Sequence, residues 1–194
     1  MHCNQRQPVA GSCSSCKEAM AEYFCSTCKF FEDEVRRKPT YHCQFCNLCR
    51  RGEGLGVDMA HCMQCNTCMT KEDMASHTCL EGGIESDCPI CGEFLFTSDS
   101  PVKQMVCGHY MHSDCFKAHT RSRYTCPVCR KSLGDMSAYF RMLDKLVASQ
   151  PMPVEVKERH VPIVCNDCER HSDAVYHFVY QKCKMCGSYN TSQS

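Results

Sequence analysis

The sequence contains no tryptophan, no apolar run approaching the ~20 residues a bilayer span requires, no low-complexity tail and no apolar signal stretch in its opening MHCNQRQPVAGSC. Net charge is missing too, with 22 lysines and arginines against 22 aspartates and glutamates. Each absence excludes something. Without a hydrophobic span or leader, a membrane is not an expected partner. Without a basic stripe, nucleic acid is not either: Arg36 to Lys38 and the pair Arg50 and Arg51 are short, separated and read as solvated surface. The apolar fraction of 43% counts every cysteine, so the aliphatic core that remains is thin for 194 residues. Such a chain folds as several small modules held by something other than a large core.

What is abundant is cysteine. There are 22, nearly all in CxxC pairs interleaved with histidines. A CxxC turn presents two sulfurs to one ion, and thiolates with imidazoles in fours suit tetrahedral, redox-inert zinc. Disulfides fit poorly, because residues three apart rarely reach disulfide geometry without strain and such a scaffold has no use for histidines at matching intervals. An iron–sulfur cluster is the other alternative. Thiolates reserved for metal imply a reducing compartment, so the expected location is nucleus and cytoplasm. With its thiolates on about seven divalent zincs the folded chain becomes mildly acidic.

The ligands group along the chain. Residues 1–20 carry Cys3, Cys13 and Cys16, one ligand short of a site unless His2 supplies it, which suggests a truncated module. Residues 21–84 hold a repeat: Cys25 and Cys28, then His42, Cys43, Cys46 and Cys49, then His61, Cys62, Cys65 and Cys68, closed by His77 and Cys79. A short period of this kind marks a stacked array in which no unit is stable alone. Adjacent His42 and Cys43, like His61 and Cys62, point to opposite sides, so each HCxxCxxC unit shares its ligands between the preceding and the following metal. Which ligand serves which ion is left open by the spacing. GEGLG at 52–56 reads as a loop, and Thr70 caps a short helix that delivers His77.

In residues 85–133, Cys88, Cys91, Cys107, His109, His112, Cys115, Cys126 and Cys129 follow the order C-x2-C, C-x-H, H-x2-C, C-x2-C of a two-histidine RING. In a RING the pairs alternate: Cys88, Cys91, His112 and Cys115 on one zinc, Cys107, His109, Cys126 and Cys129 on the other. SDCFKAHT forms the central helix, starting at Ser113. Residues 134–153 are a helix and linker, with Asp135 or Ser137 as cap, Met136, Tyr139, Phe140, Leu143, Leu146 and Val147 as a stripe that packs on a neighbouring module, and prolines after it. Residues 154–194 carry Cys165, Cys168, Cys183 and Cys186, a zinc ribbon whose hairpin falls in the β-branched and aromatic AVYHFVYQK. His171 and His177 are surface or packing residues rather than ligands. No cysteine is left over, which argues against a catalytic thiolate. The fold class is thus a small zinc-stabilised multi-module protein with little regular secondary structure: tandem zinc knuckles, a cross-brace RING, an amphipathic helix and a C-terminal zinc ribbon, with about six complete zinc sites and one incomplete N-terminal site.

YHCQFCNLCRRGEGLGVD and HCMQCNTCM, CPICGEFLFTS through CPVCRKS, and CNDCERHSDAVYHFVYQKCKMCGSYNT together resemble the CHY-type zinc-finger RING ubiquitin ligases of plants and animals, over essentially the whole chain. GLGVD and GDMSAYFRMLDKLVAS are most similar to BRUTUS and the haemerythrin-motif RING iron regulators of plants. The resemblance implies a partial CHY-type finger in 1–20, whose opening pair keeps only Cys3, and a CTCHY-type array in 21–84. It implies a ubiquitin ligase that catalyses without a covalent intermediate, orienting a charged ubiquitin-conjugating enzyme toward a substrate lysine. Ile90 and Pro127 would line the enzyme's groove, His119 stands where many RINGs have tryptophan, and Arg130 matches the linchpin that bridges enzyme and ubiquitin. The substrate would be a protein marked for degradation, a transcription regulator among the candidates, in iron homeostasis or transcription control. The alternative is a zinc-dependent scaffold or transcriptional adaptor without ligase activity.

Overall fold

A computed structural model describes residues 4–37, 39–150, 152–156 and 158–193. One local turn recurs through it. After each of the CxxC pairs that begin at Cys13, Cys25, Cys43, Cys62, Cys88, Cys126, Cys165 and Cys183, the next residue has a positive φ: Lys17, Lys29, Asn47, Asn66, Gly92, Arg130, Glu169 and Gly187. The turn closes when that residue's N–H reaches back to the first cysteine's carbonyl, as from Arg130 to Cys126 at 2.9 Å and from Glu169 to Cys165 at 2.8 Å. The first cysteine then pairs with the residue five positions on, so Cys25 faces Phe30, Cys43 faces Leu48 and Cys62 faces Thr67. Both sulfurs project from one side of the turn. Asn tolerates the left-handed conformation better than most residues, whereas a β-branched side chain there costs about 1–2 kcal/mol. Asn47→Val is therefore expected to weaken one zinc site by roughly tenfold, with Asn47→Gly neutral, as read by competition with a chromophoric chelator.

The chain divides into two units, residues 1–85 and 86–194. In the first, three antiparallel hairpins follow one another: β1 (Tyr23–Cys25) with β2 (Phe30–Glu32), β3 (Thr40–Cys43) with β4 (Leu48–Arg51), and β5 (Met59–Cys62) with β6 (Thr67–Thr70). Phe24 and Phe31 pack in a tilted pair at 4.8 Å between ring centres, and Arg51 ties β4 to Glu32 at 2.6 Å and to the Thr40 hydroxyl at 2.9 Å. The GEGLG segment is a loop, folded around Asp58, whose carboxylate accepts the N–H groups of Glu53 and Gly54. Gly52, at φ 141°, is required there: a Cβ would run into the Met59 side chain and the Tyr41 ring. Thr70 caps α1 (Lys71–Ser76) by accepting the Asp73 N–H, and His77 follows at its end.

The second unit starts with a hairpin of β7 (Val102–Gln104) and β8 (Tyr110–His112), continued by α2 (Ser113–Thr120), with Leu95, Met105, Tyr110 and Met111 buried. The helix α3 (Ser137–Ser149) begins under the Asp135 carboxylate, which accepts the Ser137 N–H. Most of its stripe packs inward: Leu143 is 2% exposed, Tyr139 lies against Tyr124, and Phe140 meets both Tyr124 and Tyr189, whereas Leu146, expected in the same stripe, is exposed at the far end of the helix. The ribbon's three-stranded sheet has the order β10 (His171–Val175), β9 (His160–Cys165), β11 (Thr191–Gln193). This departs from the expected hairpin in AVYHFVYQK. Strand stops at Val175 because the buried His177 ring accepts the N–H groups of Val179 and Tyr180, folding that apolar stretch into a turn. Val161, Ile163, Ala174, Cys165 and Cys183 form the core beneath.

Candidate metal centres

In the first unit the hairpins interlock through their ligands. Cys25 and Cys28 meet His42 and Cys49; Cys43 and Cys46 meet His61 and Cys68; Cys62 and Cys65 meet His77 and Cys79. His42 is the cross-strand partner of Cys49, and His61 of Cys68, so each pair points back to the preceding knuckle while the adjacent Cys43 or Cys62 begins the next site. The alternation of a strand produces the sharing expected from the HCxxCxxC repeat. His61 Nδ1 lies 3.7, 3.4 and 3.6 Å from the sulfurs of Cys43, Cys46 and Cys68. His77 is turned the other way. Its Nδ1 is 2.9 Å from the Met74 carbonyl, which leaves the buried Nε2, without a hydrogen-bond partner, for the cluster.

In the second unit, Cys88, Cys91, His112 and Cys115 form one group and Cys107, His109, Cys126 and Cys129 another, interleaved along the chain. The His112 ring is oriented from behind by the Ser98 hydroxyl at 3.0 Å, the arrangement that holds a metal-binding imidazole in one tautomer. In the ribbon, Cys165 lies 3.6 Å from Cys186 and Cys168 3.7 Å from Cys183. Cys13 and Cys16 form a knuckle of the same kind, whereas Cys3 and His2 lie outside the described residues.

The spacings fit zinc. Ligands bound tetrahedrally at about 2.3 Å put neighbouring sulfurs about 3.8 Å apart, against about 2.05 Å in a disulfide. Cys62 and Cys65 each sit 3.6 Å from Cys79, and among the described residues no cysteine is in a disulfide. Electrostatics point the same way. Burial raises the Cys25 thiol, but the N–H of Cys28 and other donors outweigh it and leave it lowered to about 6, while burial and the nearby Cys25 and Cys28 sulfurs push Cys49 up to about 12. Cys88, at about 6, and Cys115, at about 12, split likewise. A divalent ion removes the conflict by holding all the sulfurs as thiolates. Since Cys25, Cys62 and Cys88 lie near 6, below an ordinary thiol, their thiolate form stabilises the sites above that range and is lost as pH falls through it. Protons compete with the metal for these sulfurs, so zinc is expected to leave as pH falls, as followed with a chromophoric chelator.

Four further positions concern the RING surface. Ile90 is 43% exposed within the first RING knuckle, and Pro127 and Arg130 are exposed in and just after the second. His119 is half-buried at the end of α2, with its Nε2 2.8 Å from the Thr125 carbonyl, which ties the helix to the Cys126 turn. Sequence reasoning passed over Val128, 53% exposed beside Pro127, and the polar joint formed by Asp167 and Asn190. Val128 was findable, because CPVC repeats CPIC and so places Val128 where Ile90 stands.

Residues 86–130 match the family model described as Ring finger domain, and residues 134–192 match Zinc-ribbon, which includes α3. The chain is 54% identical over 194 residues to Zinc finger protein BRUTUS of Arabidopsis thaliana, covering 98% of this chain and 15% of that protein. It is 42% identical over 193 residues to E3 ubiquitin-protein ligase RZFP34 of Arabidopsis thaliana, covering 99% and 65%. It is 37% identical over 190 residues to E3 ubiquitin-protein ligase SRFP1 of Oryza sativa subsp. japonica, covering 97% and 72%. The chain spans 15% of the length of BRUTUS and its Arabidopsis homologues. With about six Cys/His clusters of zinc geometry, a RING and a zinc ribbon in one chain, the protein is zinc-binding and belongs to the family of RING zinc-finger proteins that includes BRUTUS and the plant RING ubiquitin ligases.

Proposed function

We propose that the protein is a RING-type ubiquitin ligase that binds a charged ubiquitin-conjugating enzyme and promotes transfer to a protein substrate. The observation that carries this reading is the interleaved pair of four-ligand groups between Cys88 and Cys129, with Ile90, Pro127 and Arg130 exposed around its knuckles. Two zincs crossing in this way can make loops rigid without a large core. Ile90 and Pro127 then offer apolar contact to the conjugating enzyme, and Arg130 offers a planar five-donor group to bridge enzyme and ubiquitin. No thiol is asked to form a covalent intermediate. The ligand sets grouped above hold the zincs, and the array of residues 21–84, CTCHY-type by resemblance and preceded by a partial CHY-type finger, presents a substrate-recruiting surface. A reducing location in nucleus and cytoplasm suits so many thiolates. The resemblance of GLGVD and the α3 segment to iron regulators supports a role in iron homeostasis.

The test is ubiquitin chain formation with a panel of conjugating enzymes, comparing wild type with Ile90→Ala at equal zinc content by native mass spectrometry. Truncating an exposed apolar anchor is expected to cost about tenfold or more in chain formation. A fully zinc-loaded wild type that forms no chains with any enzyme would move the reading to a zinc-dependent scaffold.

A further inference from the structure

The last three residues of the RING's second turn are each held by a side chain of the ribbon. Asn190, 7% exposed, donates from Nδ2 to the Arg130 carbonyl at 2.7 Å and to Asp167 Oδ1 at 2.8 Å, while its Oδ1 accepts from Asn166 at 3.0 Å. Both amide hydrogens are thus used, and the acceptor side fixes which way the amide points. Lys131 pairs with Glu169 at 3.1 Å. Ser132 gives its N–H and its hydroxyl to Asp167 at 2.8 and 2.9 Å, and the Ser188 hydroxyl adds a bond to the same carboxylate at 2.6 Å. A network this fully satisfied rigidifies what it joins.

The grip falls on Arg130, which sits at φ 65°. The knuckle turn supplies that conformation, as it does at Lys29 and Asn47, and the conformation sets where the Cα–Cβ bond points; what the ribbon adds at Arg130 is a hold on its carbonyl and on the two residues after it. The reach of the guanidinium follows from that direction. The geometry points to the zinc ribbon as a built-in positioning element for Arg130: Asn190, anchored by Asp167, holds the arginine's carbonyl while Asp167 holds Ser132 two residues on, so that the Arg130 side chain meets the charged conjugating enzyme in one orientation. The inference rests on the ligase reading above. Asn190 and Asp167 are positioning residues, acting through Arg130.

Single-turnover discharge of ubiquitin from a charged conjugating enzyme to free lysine tests it, using the full chain as wild type, Asn190→Ala, Arg130→Ala and the double variant, each checked for zinc. Asn190→Ala is expected to slow maximal discharge about fivefold or more at an unchanged half-saturating concentration, and to add nothing in the Arg130→Ala background. Amide hydrogen exchange at residues 130–132 is expected to quicken in Asn190→Ala, a readout independent of ligase activity. Discharge by Asn190→Ala at the wild-type rate overturns the inference. So does a further loss of the same size on top of Arg130→Ala, which would mark a general loosening of the RING. Should Asn190→Ala shed zinc, Ser132→Ala removes a bond to Asp167 without entering a knuckle and is expected to slow discharge by about twofold or more; no slowing overturns the inference. Absence of discharge by the wild type with every enzyme, with exchange at 130–132 still quickened in Asn190→Ala, overturns the ligase reading and leaves the brace standing as a structural joint alone.

Discussion

Alanine in place of His61 is expected to release one zinc and to loosen two hairpins at once. His61 and Cys68 belong to the strand pair β5–β6, while the other half of their site, Cys43 and Cys46, belongs to β3–β4. The metal is therefore the fastening between successive hairpins as well as the closure of one knuckle. Isolated two-stranded hairpins are marginal in water, and a structural zinc site ties up on the order of 10 kcal/mol of folding free energy. Little else replaces it: across these four strands only Thr40, Tyr41, Cys43 and Thr67 are buried. The measurement is native mass spectrometry for the zinc count, with hydrogen exchange across residues 40–51 and 59–70. Faster exchange in both segments, with the RING sites still occupied, is the expected result. One zinc lost with exchange unchanged would mean that each hairpin stands by itself.

Removing the guanidinium by Arg130→Ala is expected to lower ubiquitin discharge by about 10- to 100-fold, the cost of one or two hydrogen bonds from a charged donor. The loss should fall on the maximal rate. The conjugating enzyme would still dock on Ile90 and Pro127, so its affinity for the RING should change little, and Ile90→Ala should show the opposite division. Arg130→Lys should not restore the rate, because an ammonium is a point donor and cannot bridge two surfaces with a planar fork. Arg130 takes no part in a metal site, so the zinc count should stay at the wild-type value. Wild-type discharge by Arg130→Ala would remove Arg130 from the mechanism and leave the apolar contacts to account for activity.

Where the array's metals sit depends on strand alternation, and this part was legible early. His42 beside Cys43 had to face opposite ways once both lay on a strand, and the structure places them in successive clusters. The helix delivering His77 and the burial of Leu143 on the α3 stripe were also readable, because capping and helical period are local signals. The ribbon's strands were not. AVYHFVYQK has β propensity throughout, yet His177 captures two backbone N–H groups and turns the chain, and β9 pairs instead with β10 and the distant β11. β propensity reports fitness for a pleated surface and is overridden when a side chain offers the backbone another partner.

Taken alone, the sequence determined that metal would do the work of a core and that there would be about six sites for it, since a CxxC turn needs no distant help to aim two sulfurs at one ion. The tertiary structure decided which distant histidine and cysteine complete each site, which nitrogen each ring presents, and that Asn190 and Asp167 reach across to the RING. Those choices depend on contacts between residues far apart in sequence, Arg130 with Asn190 above all, and no spacing within either segment records which partner the folded chain brings within a hydrogen bond.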